Sequence, residues 1–187
     1  MAGGPDPSTA AAARLVTARL VLEPLAVGHA AEMVGVLADP SLYAVIGGEP
    51  PTLDELTERY GRQVAGPGRA GEAWRNWVVR REGRAVGYVQ ATIALEDGRW
   101  VADVAWLVTP AEQGRGIATE AAARMIQELL SAGVTEIRAE IADHHRASQS
   151  VAARLAMRPT ARTTSEGERV WVGRRLATGV MERTEDD

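Results

Sequence analysis

Short apolar or alternating stretches recur along the chain, and each of them predicts a β-strand. Seven strands follow from this pattern, at residues 19–25, 77–80, 85–95, 100–108, 134–141, 160–164 and 169–176. Turn sequences at Glu82-Gly83, Asp97-Gly98 and Glu166-Gly167 separate three pairs of neighbours. Two-residue turns of this kind join antiparallel strands, so we expect three hairpins.

Apolar residues spaced three to four apart replace the strand pattern in four other stretches and predict helices. These helices cover 27–37, 52–64, 118–129 and 147–155. Thr52 is the expected N-cap of the second helix, and Gly133 is expected to end the third, in which Glu120 and Arg124 are expected to pair. Asp39-Pro40 ends the first helix. Residues 41–51, with two glycines and two prolines, are predicted to form a loop.

The order of these elements predicts the fold class. Antiparallel strands form a meander in the N-terminal half, and the strand–helix–strand order at 100–141 predicts a right-handed parallel crossover. We therefore expect an α/β fold with one mixed sheet (α+β) and a single domain at residues 14–177. Residues 1–13, rich in small residues, are expected to form a flexible arm, and residues 178–187 an acidic tail.

Composition narrows the classes of protein that fit this pattern. With 187 residues, 45% of them hydrophobic and 25% charged, the chain suits one globular domain. It contains no cysteine, which excludes a disulfide and a thiol nucleophile and agrees with a cytoplasmic location. Neither a signal peptide nor a membrane span is expected. The net charge of −4 argues against nucleic acid as a partner and suits a cationic substrate such as an amine.

The segment from Glu112 to Glu120 carries the clearest chemical signal. Its sequence, EQGRGIATE, places two glycines after an apolar strand and just before an amphipathic helix. Glycine lets the backbone approach a ligand, and the free N–H groups of a helix start favour a phosphate. Ile117 excludes a P-loop, and Thr119 departs from the dinucleotide-binding fingerprint. We expect the loop amides to bind a diphosphate and Arg115 to contact a phosphate.

The pattern Gln113-x-x-Gly116-x-Ala118 resembles the pyrophosphate-binding loop of the GNAT superfamily of acyl-CoA N-acyltransferases. Residues 17–25 and 103–110 are similar to strands of its ribosomal-protein alanine N-acetyltransferase branch, and 146–155 are similar to the helix after the fifth strand. The resemblance implies the GNAT-type fold with acetyl-CoA as co-substrate. The cofactor-binding residues expected from the loop and the resemblance are Leu107, Val108, Gln113, Gly114, Arg115, Gly116, Ile117, Ala118, Thr119 and His145.

The resemblance also implies two catalytic residues, Asp103 and Ser148. In relatives an acidic residue at the position of Asp103 is proposed to accept the proton of the amine; here it could instead form a cross-strand ion pair or face solvent. Ser148 is expected to protonate the departing thiolate, to bond the cofactor, or to cap its helix. Many relatives have a tyrosine one turn later, where this chain has Val151, and an asparagine in place of His145.

Other polar and aromatic residues favour structural roles. A metal site is not expected, because His144 and His145 point in opposite directions and His29 is distant in sequence. The tryptophans are expected in the core or in a pocket wall. Acidic residues near the variable loops are expected on a solvated face, with attraction of an amine substrate as the alternative; they are Asp39, Glu49, Asp54 and Glu55.

The predicted function is transfer of an acetyl group from acetyl-CoA to a primary amine by direct attack in a ternary complex. The acceptor is either a peptide N-terminus or a small-molecule amine, with no nucleic acid or membrane as partner. A non-catalytic acyl-CoA-binding sensor is the main alternative, and an unrelated nucleotide-dependent enzyme is a weaker one. A homodimer is compatible with the sequence.

Overall fold

A computed structural model describes residues 6–9 and 11–174, which form one eight-stranded sheet with helices on both faces. The strands are β1 (Leu15–Val16), β2 (Leu20–Pro24), β3 (Glu72–Arg81), β4 (Arg84–Glu96), β5 (Arg99–Val108), β6 (Glu136–Ile141), β7 (Arg158–Thr163) and β8 (Arg169–Arg174). The helices are α1 (Ala30–Val36), α2 (Pro40–Ile46), α3 (Leu53–Ala65), α4 (Ile117–Ser131) and α5 (Arg146–Arg154). The strand order is β1-β2-β3-β4-β5-β6-β8-β7.

Antiparallel pairing from β1 to β5 confirms the predicted meander. The two central hairpins turn through Glu82-Gly83 and Asp97-Gly98, and all four residues have positive φ, between 47° and 78°. Positive φ at both central residues matches the twist of the flanking strands, which explains why these dipeptides predicted the turns. The predicted mixed fold class is thereby confirmed.

β5 and β6 form the parallel pair of the sheet, but they stay paired only over a short distance. Residues Val101–Asp103 pair with Glu136–Arg138, and the pairing then ends. β5 continues to Val108 against β4, whereas β6 pairs onward with β8. The two strands therefore part beyond Asp103, and one edge of β5 is left without a partner strand.

Two apolar clusters cover the two faces of the sheet. The larger cluster packs α4 and α5 against one face, around Trp77, Ile93 and Met125. The smaller cluster packs α1, α2 and α3 against the other face, around Met33, Leu56 and Leu107. Because α1–α3 cover only part of their face, Asp103 on β5 and Thr92 on β4 are left exposed.

The structure corrects the prediction that residues 41–51 form a loop. α2 begins at Pro40, with Asp39 as its N-cap, and the Asp39 carboxylate accepts a hydrogen bond from the amide of Ser41 at 2.9 Å. Proline is favoured in the first turn of a helix because the amide it lacks would have no partner there. Asp39-Pro40 is therefore a helix start as well as a helix stop.

A second correction concerns Glu120, which was expected to pair with Arg124. Glu120 instead pairs with Arg19, and Arg124 pairs with Glu128 one turn further along α4. Both i,i+4 partners were available to Arg124 in sequence. Glu120 thus pairs with a residue next to β2 rather than with a residue of its own helix.

Described residues of the N-terminal arm contact the sheet. Pro7 is buried and its carbonyl accepts a hydrogen bond from Arg75 Nη2 at 2.7 Å, while the Ala13 carbonyl accepts one from Trp77 Nε1 at 2.8 Å. The acidic tail at 178–187 lies outside the described residues. In the part of the chain that the structure describes, none of the helices combines the length and apolar character needed to cross a bilayer.

Candidate active site

A cleft of about 580 Å³ opens where β5 and β6 part. Its walls come from the end of β5, the loop at residues 112–116 (the glycine loop), the first turn of α4, α5 and the start of α2. Ten residues predicted for the site line it: Leu107, Val108, Gln113, Gly114, Gly116, Ile117, Ala118, Thr119, His145 and Ser148. Arg115 and Asp103 are the two predicted residues that do not line the cleft.

The glycine loop presents backbone donors to this cleft. Gly114 and Gly116 have φ of 74° and 75°, and Gly116 is the N-cap of α4, a helix of 15 residues. No described residue accepts a hydrogen bond from the amides of residues 114–119. Six consecutive free donors at the positive end of a helix dipole make a site for an anion.

The unpaired edge of β5 forms the floor of the cleft. Gln113 Nε2 donates to the Val108 carbonyl at 3.0 Å, so the peptide groups of Val108 point away from β4 and toward the cleft. Peptide groups alternate along a strand, and those of Trp106 therefore point the same way. The Leu107 carbonyl lies instead against Gly87 of β4.

Several charged side chains lie around the glycine loop. Glu112 Oε2 lies 2.7 Å from Arg81 Nη1 and 3.5 Å from Arg115 Nη1. Arg115 is mostly exposed beside the loop, and Arg154 of α5 lines the cleft. These guanidinium groups are available to balance the charge of a bound phosphate.

A contact between distant segments holds the loop in place. Arg19 Nε donates to Glu120 Oε2 at 2.6 Å, and Arg19 Nη1 donates to the Arg115 carbonyl at 3.2 Å. Thr17 Oγ1 donates to the other oxygen of Glu120. Partial burial raises the pKa of Glu120, but the hydrogen bonds from Thr17 and Arg19 outweigh it, so the pKa lies below its ordinary value. Glu120 is thus a charged anchor in the first turns of α4.

Ser148 and His145 form a pair on the α5 wall of the cleft. The Ser148 side chain is buried, and its Oγ lies 3.4 Å from His145 Nε2. The N-cap of α5 is His145, and its side chain makes no capping bond. The expected capping role of Ser148 is therefore corrected: Ser148 lies within the first turn, with its hydroxyl toward His145 and the cleft. Val151 also lines the cleft.

Asp103 lies on the face of the sheet that α1–α3 cover only in part, here called the open face. It does not line the cleft. It stands between Thr92 of β4 and Arg138 of β6, yet Arg138 bonds Glu136 and Glu96 instead. Although the side chain is exposed, the surrounding sheet partly desolvates the carboxylate and raises its pKa; nearby Glu140 and Glu96 add to the rise and Arg138 opposes it. Of its three expected roles, the cross-strand ion pair is not formed.

Several of the tryptophans and acidic residues discussed from the sequence lie in the core, in the cleft wall or in helix caps. Trp77 is fully buried, while Trp106 lines the cleft. Asp39 and Glu55 are used in helix caps, Glu55 together with Thr52 at the start of α3. Among the described residues, no group of three or more His, Cys, Asp or Glu could hold a metal ion.

A family model for the acetyltransferase (GNAT) domain matches residues 19–158. The chain belongs to the GNAT acetyltransferase family. The family, the fold and the enzyme class predicted from the sequence, an acyl-CoA-dependent N-acyltransferase, are thereby confirmed. A comparison with curated proteins finds no match.

Solved structures of acetyltransferases share the GNAT fold of this chain. An acetyltransferase from Thermus thermophilus is 22% identical, with a TM-score of 0.68 over 86% of this chain and 98% of its own. AAC(6')-Ib in complex with ribostamycin and coenzyme A is 24% identical, with a TM-score of 0.71 over 90% and 99%. RimL, a ribosomal L7/L12 protein acetyltransferase in complex with coenzyme A, is 13% identical, with a TM-score of 0.72 over 86% and 97%.

Within this GNAT domain, sequence reasoning missed Arg19 and the pairing of His145 with Ser148. Thr17 and Arg19 were noted only as part of a strand similar to the family. Their link to Glu120 joins positions about a hundred residues apart, and nothing in a single sequence marks such a pair. The three-residue spacing of His145 and Ser148 at a helix start was a signal, since this spacing places side chains on one side of a helix.

Replacing Arg19 with methionine is expected to weaken coenzyme A binding about 3- to 10-fold, a loss of about 0.7 to 1.4 kcal/mol for this half-exposed group. The loop would lose both the bond to the Arg115 carbonyl and the anchor at Glu120. Isothermal titration calorimetry measures the dissociation constant. Arg62→Met is the matched control, because Arg62 forms an exposed pair with Glu58 on α3. Equal affinity in both variants would contradict the anchoring role.

Proposed function

We propose that this protein transfers an acetyl group from acetyl-CoA to a primary amine, with both substrates bound in one ternary complex. The observation that carries the proposal is the run of six free amides at residues 114–119, in the loop and first turn of α4, five of whose residues line the cleft. Backbone donors at a helix N-terminus fit the diphosphate of coenzyme A. Coenzyme A or acetyl-CoA is bound in AAC(6')-Ib and in the microcin C7 self-immunity acetyltransferase MccE, which share the fold.

The unpaired edge of β5 supports the acyl end of this proposal. With the diphosphate on the loop, the pantetheine arm would extend along β5, and the amides of Trp106 and Val108 would be available to it. A backbone N–H aimed at the thioester carbonyl stabilises the negative charge that develops on its oxygen. Gln113 holds the strand end in this orientation through the Val108 carbonyl.

The acceptor is proposed to be an amine, either a peptide N-terminus or a small molecule. The overall charge of −4 and the exposed carboxylates of Asp103 and Glu140 on the open face favour a cation there. RimL is a ribosomal L7/L12 protein acetyltransferase, and the aminoglycoside acetyltransferase AAC(6')-Ib is solved with ribostamycin; they exemplify the two kinds of acceptor. Proximity of the two bound substrates would supply much of the rate.

A panel of amines and peptides tests the proposal, with release of the free thiol from acetyl-CoA as the readout. We expect at least one primary amine to release coenzyme A in an enzyme-dependent manner and to gain about 42 Da, one acetyl group, as measured by mass spectrometry. Tight acetyl-CoA binding without turnover across the panel would support the alternative, a non-catalytic acyl-CoA sensor. Preference for ATP or NAD over coenzyme A would overturn both.

Asp103→Asn tests the proton-accepting role proposed for Asp103. The raised pKa makes its carboxylate a better proton acceptor than an ordinary aspartate, but its position outside the cleft argues for a role at the open face. If Asp103 is the base, kcat falls about 100-fold in the variant at the pH values at which the wild-type carboxylate is ionised. An unchanged kcat with a higher KM for the amine would limit Asp103 to attracting the acceptor.

A further inference from the structure

The cleft contains few groups that can exchange a proton. Among the described residues that line it, only Glu112, His145 and Arg154 carry a charge or titrate in an accessible range. The Glu112 carboxylate is paired with Arg81 at 2.7 Å. An arginine does not deprotonate in proteins. His145 is therefore the group in the cleft that is suited to accept a proton near neutral pH.

The structure orients His145 for this purpose. The amide of His145 donates to the Ala142 carbonyl at 2.9 Å, and the His145 carbonyl accepts from the amide of Gln149 at 3.1 Å. Its ring is half-buried, with Nε2 at 3.4 Å from the buried hydroxyl of Ser148. No described residue bonds its Nδ1. One ring nitrogen thus faces a hydroxyl, and the other is free for a substrate or a water.

We propose that His145 accepts the proton of the attacking amine and passes it, through Ser148, to the departing thiolate of coenzyme A. The inference rests on the proposed function, because it assigns the proton transfers of that acetyl transfer. It takes the role of base from Asp103, which lies outside the cleft.

Atoms and electrons balance in this relay. The neutral amine attacks the thioester carbonyl, the C–N bond forms, and the C–S bond breaks with its electron pair on sulfur. The proton that the new amide nitrogen must lose goes to Nδ1 of His145. The Nε2 proton of the imidazolium moves to Ser148 Oγ as the Ser148 hydroxyl proton moves to sulfur. The products are the amide, the free thiol and the enzyme in its starting protonation state, with the other imidazole tautomer returning by exchange with water.

The surroundings of His145 keep it neutral before the reaction. Burial lowers the pKa of His145 below its ordinary value of 6.5, and the neighbouring His144 lowers it further. The other charged groups near it are Glu112, which also lines the cleft, Arg146 and Arg154 on α5, and the ion pair of Asp143 with Arg169. A neutral imidazole is the form that accepts a proton, so activity is expected to fall when the pH drops below the pKa of His145.

Val151 gives no proton to this cleft. Its side chain is a hydrocarbon without a hydroxyl, so it cannot protonate a thiolate. Val151 lines the same cleft one turn of α5 beyond Ser148. At the start of α5, Ser148 supplies a hydroxyl and His145 supplies a route for its proton.

His145→Asn tests the proposal with the amine that the wild-type protein acetylates. We expect kcat at neutral pH to fall about 100-fold, with the dissociation constant for coenzyme A changed less than about 3-fold. The fall in kcat below the pKa of His145 should disappear from the pH profile, while any limb due to the amine should remain. His144→Asn is the matched control, since His144 is exposed and outside the cleft; its kcat at neutral pH should stay within about twofold.

Ser148→Ala and the double variant Ser148→Ala/Val151→Tyr complete the test. The single variant should lose about tenfold or more in kcat, and the tyrosine should restore most of that loss by supplying a hydroxyl to the same cleft. An unchanged kcat and pH profile in His145→Asn would overturn the relay. Acetylated Ser148 after incubation with acetyl-CoA alone would also overturn it, because Ser148 would then be a nucleophile. Absence of turnover in the wild type would instead overturn the proposed function.

Discussion

Replacing Gly116 with valine is expected to weaken coenzyme A binding at least about 100-fold, equal to about 2.8 kcal/mol. Gly116 has φ of 75°, and a β-branched residue is strongly disfavoured in this left-handed region. The loop would leave its present conformation, and the free amides of residues 114–119 would no longer be held together before and in the first turn of α4. Calorimetric titration with coenzyme A measures the loss directly and needs no knowledge of the acceptor.

Gly167→Val separates backbone strain from ligand binding. Gly167 has φ of 84° in the exposed turn before β8, with nothing within 4 Å of an added Cβ. The substitution imposes the same kind of strain at a residue that does not line the cleft, so coenzyme A affinity should stay within about twofold while stability falls by about 1–3 kcal/mol. If Gly116→Val binds coenzyme A as the wild type does, the anion site is not on this loop.

Replacing Gly87 with alanine is expected to destabilise the fold by about 3 kcal/mol and to disturb the cleft. A Cβ at residue 87 would lie 2.0 Å from the Leu107 carbonyl oxygen and 2.9 Å from Val108 Cα. Both contacts are with backbone, so β5 itself would have to move away from β4. Urea unfolding measures the change in the free energy of unfolding, and calorimetry measures the accompanying change in coenzyme A affinity.

Gly61→Ala is the matched control for this substitution. Gly61 lies inside α3, and an added Cβ would have nothing within 4 Å. Alanine favours the helical conformation, so this variant should gain about 0.5–1 kcal/mol of stability and leave coenzyme A binding unchanged. Equal stability of Gly87→Ala and the wild type would show that β4 and β5 can separate without cost to the fold.

The predictions from sequence succeeded where one segment contains its own signal. Glu82-Gly83 and Asp97-Gly98 predicted hairpins because the left-handed conformation is local to the turn. Thr52 predicted the start of α3 because a threonine side chain at this position caps the amides that follow it directly in sequence; the structure adds Glu55 as its partner three residues on. Such contacts need no information from the rest of the chain.

The predictions were wrong or incomplete where a distant segment changes the outcome. β3 begins at Glu72 rather than Trp77, since residues 72–76 also pair with β4, and they include Arg75, a buried charged residue that an apolar pattern does not anticipate. Nη2 of Arg75 donates to the Pro7 carbonyl, in a segment expected to be a flexible arm. Burial and tertiary hydrogen bonds lie beyond any local pattern.

The candidate site likewise has a part that the sequence predicted and a part that it did not. The glycine loop and the helix it opens form a continuous segment, and its anion-binding chemistry follows from the order of its residues and the geometry of a helix start. The family resemblance placed Ser148 and His145 near it, but not in contact with each other.

The separation of β5 from β6 after Asp103, by contrast, depends on how β5, β6 and β8 are arranged in the assembled sheet. That separation creates the cleft, turns the amides of Trp106 and Val108 toward it, and leaves Asp103 outside. Local residue order thus predicted an anion-binding loop, and the family resemblance implied the class of enzyme. The shape of the cleft and the choice between Asp103 and His145 depend on pairings across the folded sheet, because such distances exist only once the strands have assembled.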